Sequence, residues 1–416
     1  MKKFLSRAPQ IWYALLLVFA FSIPFSIKLN SALIIIIFTF SLIYYLLTPN
    51  KKLLKEVRFV AVFIVMYLLC VVGLLNSQNL IPAFFDFEQK LPLLTLPLIF
   101  AMGTMIDEQK RSQIQMAFVM GTLIICLLNY RNGFYWVYSS PVEIAEKNLL
   151  IGRPYLGMYC VFCIFFCLKC FRICQDRWQK IATFFLVCFF FFFLLTLFAK
   201  MAFATLATLI FIYLLIELFK REKYLILGIG LTVTIAGVAY GAFLTGKGKE
   251  ITTKALSFTE FDWINYDPQW VNSVNLRFIK WKCAAEVLAQ NKNWLWGVGT
   301  GDTQQLLDNC YTAKLGADSF FVTEHYNSHN QYFTTWLNQG LISLIFLLLH
   351  FGFFLRHHYL TKNTLGIIFT IGVMMFCITE SIFEVQKGIV FYTFFQLLLY
   401  KSKYDIIVLR ATNHEV

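Results

Sequence analysis

Charge is what this sequence has least of. Asp, Glu, Lys and Arg make up 14% of its 416 residues, against 59% hydrophobic ones. An ordinary soluble domain carries about a quarter charged residues, so a water-soluble protein of this size is excluded. The mean hydropathy is +0.65. Long apolar stretches free of charge are membrane helices, because lipid leaves every backbone N–H and C=O to be satisfied inside the segment. A cleavage site is also lacking. The basic start MKKFLSRAPQ runs into an apolar stretch with no small-residue site after it, so it is expected to be a first anchor, not a signal peptide. There is no internal repeat, no second soluble domain and no basic–aromatic nucleic-acid module.

What remains is a series of apolar runs. A window of about 19 residues predicts twelve spans, near 11–27, 31–48, 58–75, 91–106, 115–138, 155–171, 181–198, 201–219, 223–244, 336–355, 364–381 and 385–400. The fourth is short and holds Pro92 and Pro97, which predicts a broken or tilted element. With the N-terminus inside, the alternate segments hold 21 Lys and Arg, and the short opposite loops hold seven. Basic residues stay on the cytoplasmic side. The net charge of +13 is mostly this topological signal. The expected fold is an all-α polytopic membrane protein of about 12 transmembrane helices with both termini cytoplasmic. Residues 1–244 hold helices 1–9, a large, partly helical periplasmic loop spans 245–335, and 336–416 hold helices 10–12 and a short tail.

The long loop faces a compartment without ATP or nucleotide sugars. Its sequence NSVNLRFIKWKCAAEVLAQNK places Leu276, Ile279, Cys283, Val287 and Leu288 on one helical stripe, predicting a helix on or beside the membrane. A second short helix is expected near 302–315. Six of the nine tryptophans fall in or beside the loop, and Trp favours the headgroup level. Cys283 and Cys310 both lie there, so a disulfide would tie the two helices if that compartment is oxidising. The other cysteines at 160, 163, 167, 170 and 174 step along one helix face, as a small-residue packing seam does.

Polar residues crowd one place, EHYNSHNQYFTTWLNQG at 324–340. His325 and His329 are four apart and would share a face on a helix. Zinc ligation with Glu324 lacks a third ligand at metal-like spacing. A neutral imidazole here suits a general base; a polar helix-entry loop, capped by residues such as Asn330, explains the same letters. Arg277, Lys280 and Trp281 form a cationic ridge able to bind lipid phosphates or to meet ordinary headgroups. Arg153 and Lys200 sit at span edges, where they are functional candidates or snorkelling side chains. Glu380 and Glu384, four apart, are proton-acceptor or ion-pair candidates. GVGTGD at 297–302 has glycines at alternate positions; it reads as a turn, or as an anion-binding nest.

The stretch HNQYFTTWLNQGLISLI at 329–345 resembles the His-Asn-x-(Tyr/Phe)-Leu…Gly motif of the O-antigen ligase family of bacterial inner-membrane proteins. RFIKWKCAAEVLAQNKNWLWGVGTGD and TESIFEVQKGIVFYTFFQLLL are similar to further family segments. The resemblance implies a glycan donor on undecaprenyl pyrophosphate and, as acceptor, a hydroxyl of lipid A–core. It makes His329 the candidate base and Arg277 the pyrophosphate ligand, with His325, Asn330 and Glu380 in support. A second family arginine corresponds to Lys200, which keeps the charge but not the bidentate fork; Arg153 would compensate. Lys280 joins the phosphate-binding set. Inverting transfer without metal or cofactor is expected. The superfamily also holds polysaccharide polymerases and protein O-oligosaccharyltransferases. A lipid-linked glycan transporter is the rival from another class, though transporters gather polar residues near the membrane midplane.

Overall fold

The computed structural model describes residues 2–48, 57–104, 106–132, 149–197, 199–220, 275–291 and 294–400, and no strand occurs among them. The helices are α1 (Lys2–Ser22), α2 (Ile27–Leu47), α3 (Val57–Leu75), α4 (Leu80–Gln89), α5 (Pro92–Met102), α6 (Glu108–Arg131), α7 (Arg153–Ile173), α8 (Arg177–Leu197) and α9 (Lys200–Lys220). There follow α10 (Asn275–Asn291), α11 (Thr303–Leu315), the single turn α12 (Phe320–Thr323), α13 (Gln331–Leu360), α14 (Thr364–Thr379), a 3-10 turn at Ile382–Glu384, and α15 (Gln386–Leu399).

Six of these, α2, α6, α7, α8, α9 and α13, are long and apolar enough to cross a membrane. The apolar helices Phe59–Leu75 and Thr364–Thr379 are shorter. The protein is a multi-pass membrane protein. The expected fourth span, 91–106, is one short unbroken helix, α5, which starts at Pro92 and keeps Pro97 inside; α4 precedes it and is capped by Lys90. The expected ninth span, 223–244, and the front of the long loop, 245–274, lie outside the described residues.

The bundle closes around α7. Leu156 through Cys167 of that helix are all buried. Its rings meet rings from two neighbours: Phe162 lies 4.8 Å from Phe369 of α14, and Tyr159 and Phe166 lie 4.9 and 5.0 Å from Phe391 and Phe395 of α15. Tilted ring contacts of this kind avoid the face-to-face sandwich that aromatic pairs disfavour,. Cys160, Cys163 and Cys167 form the expected seam, with Cys160 facing Cys126 of α6. Small side chains there let the helices approach.

Polar contacts fix the helix directions. Arg172 pairs with Glu217 at 3.1 Å, and Lys220 donates to Thr364 at 2.8 Å. The last turns of α7 and α9 thus lie with the first turn of α14. It follows that Arg153, Lys200 and Thr379 belong to the other end of the bundle.

At that end α10 and α11 build a second core. Ile279, Cys283, Val287 and Leu288 of α10 pack with Leu307 and Tyr311 of α11, Phe321 of α12 and Leu337 of α13. The stripe read from sequence is this buried face. A disulfide joins Cys283 to Cys310.

GVGTGD is a strap and not an anion nest. Inside α13, Gly340 takes a left-handed φ of 82° and breaks the helix. The break frees the Leu337 carbonyl, which accepts from Val298 N at 2.7 Å, while Leu341 N donates to the Trp294 carbonyl at 2.9 Å. The strap then reaches α3 and α4. Thr300 N donates to the Gly73 carbonyl at 3.1 Å, and Asp302 accepts from Gln78 N and Asn79 N at 2.6 and 3.0 Å. Backbone groups exposed by a helix break need such partners.

Candidate functional site

The turn 324–330 is not helical, so the spacing of its histidines does not align them. His325 and His329 both have left-handed backbone, with φ of 46° and 43°. That conformation is uncommon outside glycine. The Asn327 side chain supports it by accepting from His329 N at 2.9 Å. Asn330 then caps α13, its Oδ1 accepting from Tyr332 N and Phe333 N at 2.9 and 3.1 Å. The two histidines part company. His325 is exposed and bonds Asp308 of α11 at 2.7 Å. His329 turns inward.

One carboxylate gathers the inner cluster. Glu380, buried at the end of α14, takes His329 Nδ1 on Oε2 at 3.2 Å and Arg277 Nη2 on Oε1 at 3.1 Å. Arg277 Nε also donates to the Thr379 carbonyl at 3.3 Å. The His329 and Arg277 side chains keep 29% and 25% of their surface accessible, against 11% for Glu380. An imidazole and a guanidinium, both part-exposed, therefore flank one more deeply buried carboxylate. A carboxylate on Nδ1 fixes the tautomer that leaves Nε2 able to accept a proton.

Lys280, one turn along α10 from Arg277, is buried with Nζ 3.6 Å over the Tyr326 ring. Burial drives its ammonium down to about 7, with Glu380 pulling upward and Arg277 pushing down. The ring face favours the charged form. Tyr326 also meets the His329 ring edge-on at 5.6 Å. Arg153 is half-buried at the start of α7, and Tyr155 in the same turn lies within electrostatic reach of Glu380 and Glu384. Lys200 is exposed at the start of α9. The structure brings Arg277, Lys280, His329, Asn330 and Glu380 together; Arg153 and Lys200 share their end of the bundle, and His325 points elsewhere.

A second polar cluster lies deeper. Lys90, 2% exposed, donates to Asp86 at 2.8 Å and to both oxygens of Glu384 at 3.1 and 3.2 Å. Burial pushes Asp86 up to about 7, Lys90 opposing and Glu384 adding to the rise. Burial alone would discharge Lys90, but the two carboxylates outweigh it and raise its pKa. Gln331 joins this cluster to the histidine turn. Its Nε2 donates to Glu384 at 3.2 Å, and its Oε1 accepts from Phe383 N at 2.7 Å. A hydroxyl chain, Ser328–Thr334–Ser381, adds contacts of 2.6 and 2.8 Å. In the sequence Lys90 counted only as a loop charge and Gln331 only as a motif letter; nothing local to either marks a partner about 300 or 50 residues away.

Residues 184–348 match the family model described as O-Antigen ligase. That segment is similar to the O-antigen ligase family. No curated protein matches the chain. The family is of the ligase and polymerase glycosyltransferase type, and in general its members take a lipid-linked glycan donor and an acceptor. The family segment carries Lys200, Arg277, Lys280, His325, His329 and Asn330. Glu380, Glu384, Lys90 and Arg153 lie outside it. Of the five residues brought together around His329, Glu380 therefore comes from a helix end beyond the matched residues.

Proposed function

We propose that this protein transfers a glycan from undecaprenyl pyrophosphate to a hydroxyl of lipid A–core, on the periplasmic face of the bacterial inner membrane. The observation that carries the reading is the bridge at Glu380, which joins Arg277 and His329 at 3.1 and 3.2 Å. A lipid pyrophosphate is an activated donor, so the reaction needs two things. The acceptor hydroxyl must lose its proton, and the departing diphosphate must be met by positive charge.

His329 takes the proton on Nε2 as the hydroxyl oxygen bonds to the anomeric carbon. Glu380, on the other ring nitrogen, stabilises the imidazolium that forms. The bond from the anomeric carbon to the pyrophosphate oxygen breaks, and its electron pair leaves with the diphosphate. Arg277 receives that charge, with Lys280, Lys200 and Arg153 adding to the field. Fixed cations at a site of low dielectric supply such stabilisation directly, so the proposal needs no metal. Attack opposite the leaving group inverts the anomeric centre. His325 and Asn330 support the turn. The topology proposed with it has twelve spans, both termini cytoplasmic and 245–335 as the periplasmic loop.

The test is transfer by purified protein from a lipid-linked glycan, in the presence of chelator, with lipid A–core, a second lipid-linked glycan and protein offered as acceptors. His329→Ala is expected to lower turnover by roughly 10²–10⁴ while donor binding survives. Arg277→Ala should weaken donor binding and turnover together. Full transfer by His329→Ala, or transfer only to one of the other acceptors, would overturn the base assignment or the acceptor respectively.

A further inference from the structure

We propose that Lys90 is a positioning residue for transfer: acting through Glu384 and Gln331, it holds the histidine turn where His329 meets Glu380. The inference rests on the reading of His329 as the base.

Lys90 touches neither His329 nor Arg277 in the contacts described above. It caps α4, a helix in two faces. Leu80, Ile81, Phe84 and Phe85 are exposed on one, while Ala83 is buried on the other and Asp86 points with Lys90 to Glu384. A lysine only 2% exposed is held against burial by charge alone,. Here the charge is that of Asp86, at 2.8 Å, and of Glu384, at 3.1 Å. Glu384 in turn accepts from Gln331 at 3.2 Å and from Asn338 at 3.4 Å. Gln331 is two residues past His329, and its Oε1 anchors the backbone of Phe383. Glu380 and Glu384 are borne by one short turn. A single ammonium thus fixes both sides of the His329–Glu380 contact: the turn that bears the base and the turn that bears its carboxylate.

Removing that ammonium leaves Asp86 and Glu384 as two buried acids side by side. Like charges so placed cannot both stay ionised. Asp86, the acid that burial already pushes up, takes the proton and turns donor toward Glu384, so the geometry at which Glu384 receives Gln331 and Asn338 must rearrange. The His329 turn has an uncommon backbone conformation, so it depends on such clamps. The hydroxyl chain from Ser328 to Ser381 would hold one side only.

The experiment compares Lys90→Met, Lys90→Arg, Gln331→Asn and the double change Lys90→Met/Gln331→Asn with wild type. Full-length protein is reconstituted in bilayers, only monodisperse material is assayed, and kcat and donor KM are measured for transfer. Lys90→Met is expected to lower kcat about tenfold or more with donor KM within about threefold. Lys90→Arg recovers most of the loss, and the double change adds little to the larger single effect, as coupled residues behave. A purely structural role predicts wild-type kcat in the folded fraction and only a lower yield. That result overturns the proposal, as does additivity of the two changes or a loss confined to KM. If Lys90→Met yields no folded protein, Gln331→Asn alone decides, by the same split of kcat from KM. His329→Ala run beside these separates the two readings: an active His329→Ala sinks the base assignment, whereas an inactive one with unaffected Lys90 variants sinks only the positioning role.

Discussion

Glu380 is a residue with two claims on it. Its oxygens satisfy Arg277 and His329 separately, so a phosphate arriving at Arg277 competes with one claim and leaves the other. Lys280 sits behind this exchange and carries the clearest pH signature. Burial holds its ammonium at about 7, below the range of a lysine in water. As pH rises through 7 the group loses its charge, and the site loses a cation. An anionic donor favours the charged form, so donor binding takes up a proton and weakens above that pH. Donor Kd measured from pH 6 to 8.5 should rise by up to tenfold per unit beyond 7, and Lys280→Met should flatten the profile. A profile identical in wild type and variant would show that Lys280 never faces the donor's charge. Stability runs the opposite way. The folded state binds this proton less tightly than the unfolded chain does, so the penalty is full below about 7 and fades as pH rises above it.

Elements show what could and could not be read ahead of the structure. The periodicity of NLRFIKWKCAAEVLAQN marked α10 and its buried face, and helix spacing marked the cysteine seam, because those signals are local. Cys283 and Cys310 were legible as partners once both were assigned to one loop. The break in α13 was not legible. Nothing in QYFTTWLNQGLISLIFLLL says that Gly340 stops the helix, because the cause is distant: the 294–298 strap inserts its own carbonyl and amide into the ladder. The His329–Glu380 contact was equally hidden, being a meeting of a turn and a helix end 51 residues apart. The strap can be tested at its closest approach. A Cβ at Gly340 would collide with the Leu295 carbonyl, and its φ of +82° strains any L side chain, whereas a Cβ at Gly352 in the same helix meets nothing within 4 Å. Gly340→Val is therefore expected to destabilise by several kcal/mol, by strain and by loss of the strap. Gly352→Ala should be neutral or stabilise by up to about 1 kcal/mol. Thermal unfolding in detergent compares them; equal midpoints would mean that the strap does not hold α13 in its broken form.

For the whole molecule, the decisive property is which way the site end faces. On the charge bias we propose that it faces outside, and the architecture supplies a chemical reporter of the same property. Arg277 and Lys280 ride on α10, and α10 is tied to α11 by Cys283–Cys310. A disulfide closing a loop of 27 residues contributes about 3–4 kcal/mol by restricting the unfolded chain,. It forms and persists where the surroundings are oxidising and is kept reduced in the cytosol. Sidedness and redox state are therefore one prediction. With the nine remaining cysteines changed to alanine or serine, Cys283 and Cys310 should resist alkylation in intact bacterial cells and become reactive only after reduction. Reduction should also lower the thermal midpoint of the wild type and of the nine-fold variant alike, because both retain the tie between α10 and α11. Thiols that alkylate at once, in cells where a periplasmic control protein is oxidised, would place α10 in the cytosol. His329 and Arg277 would then face nucleotide sugars rather than a finished lipid-linked glycan, and the chemistry proposed for them would have no donor on its side of the membrane.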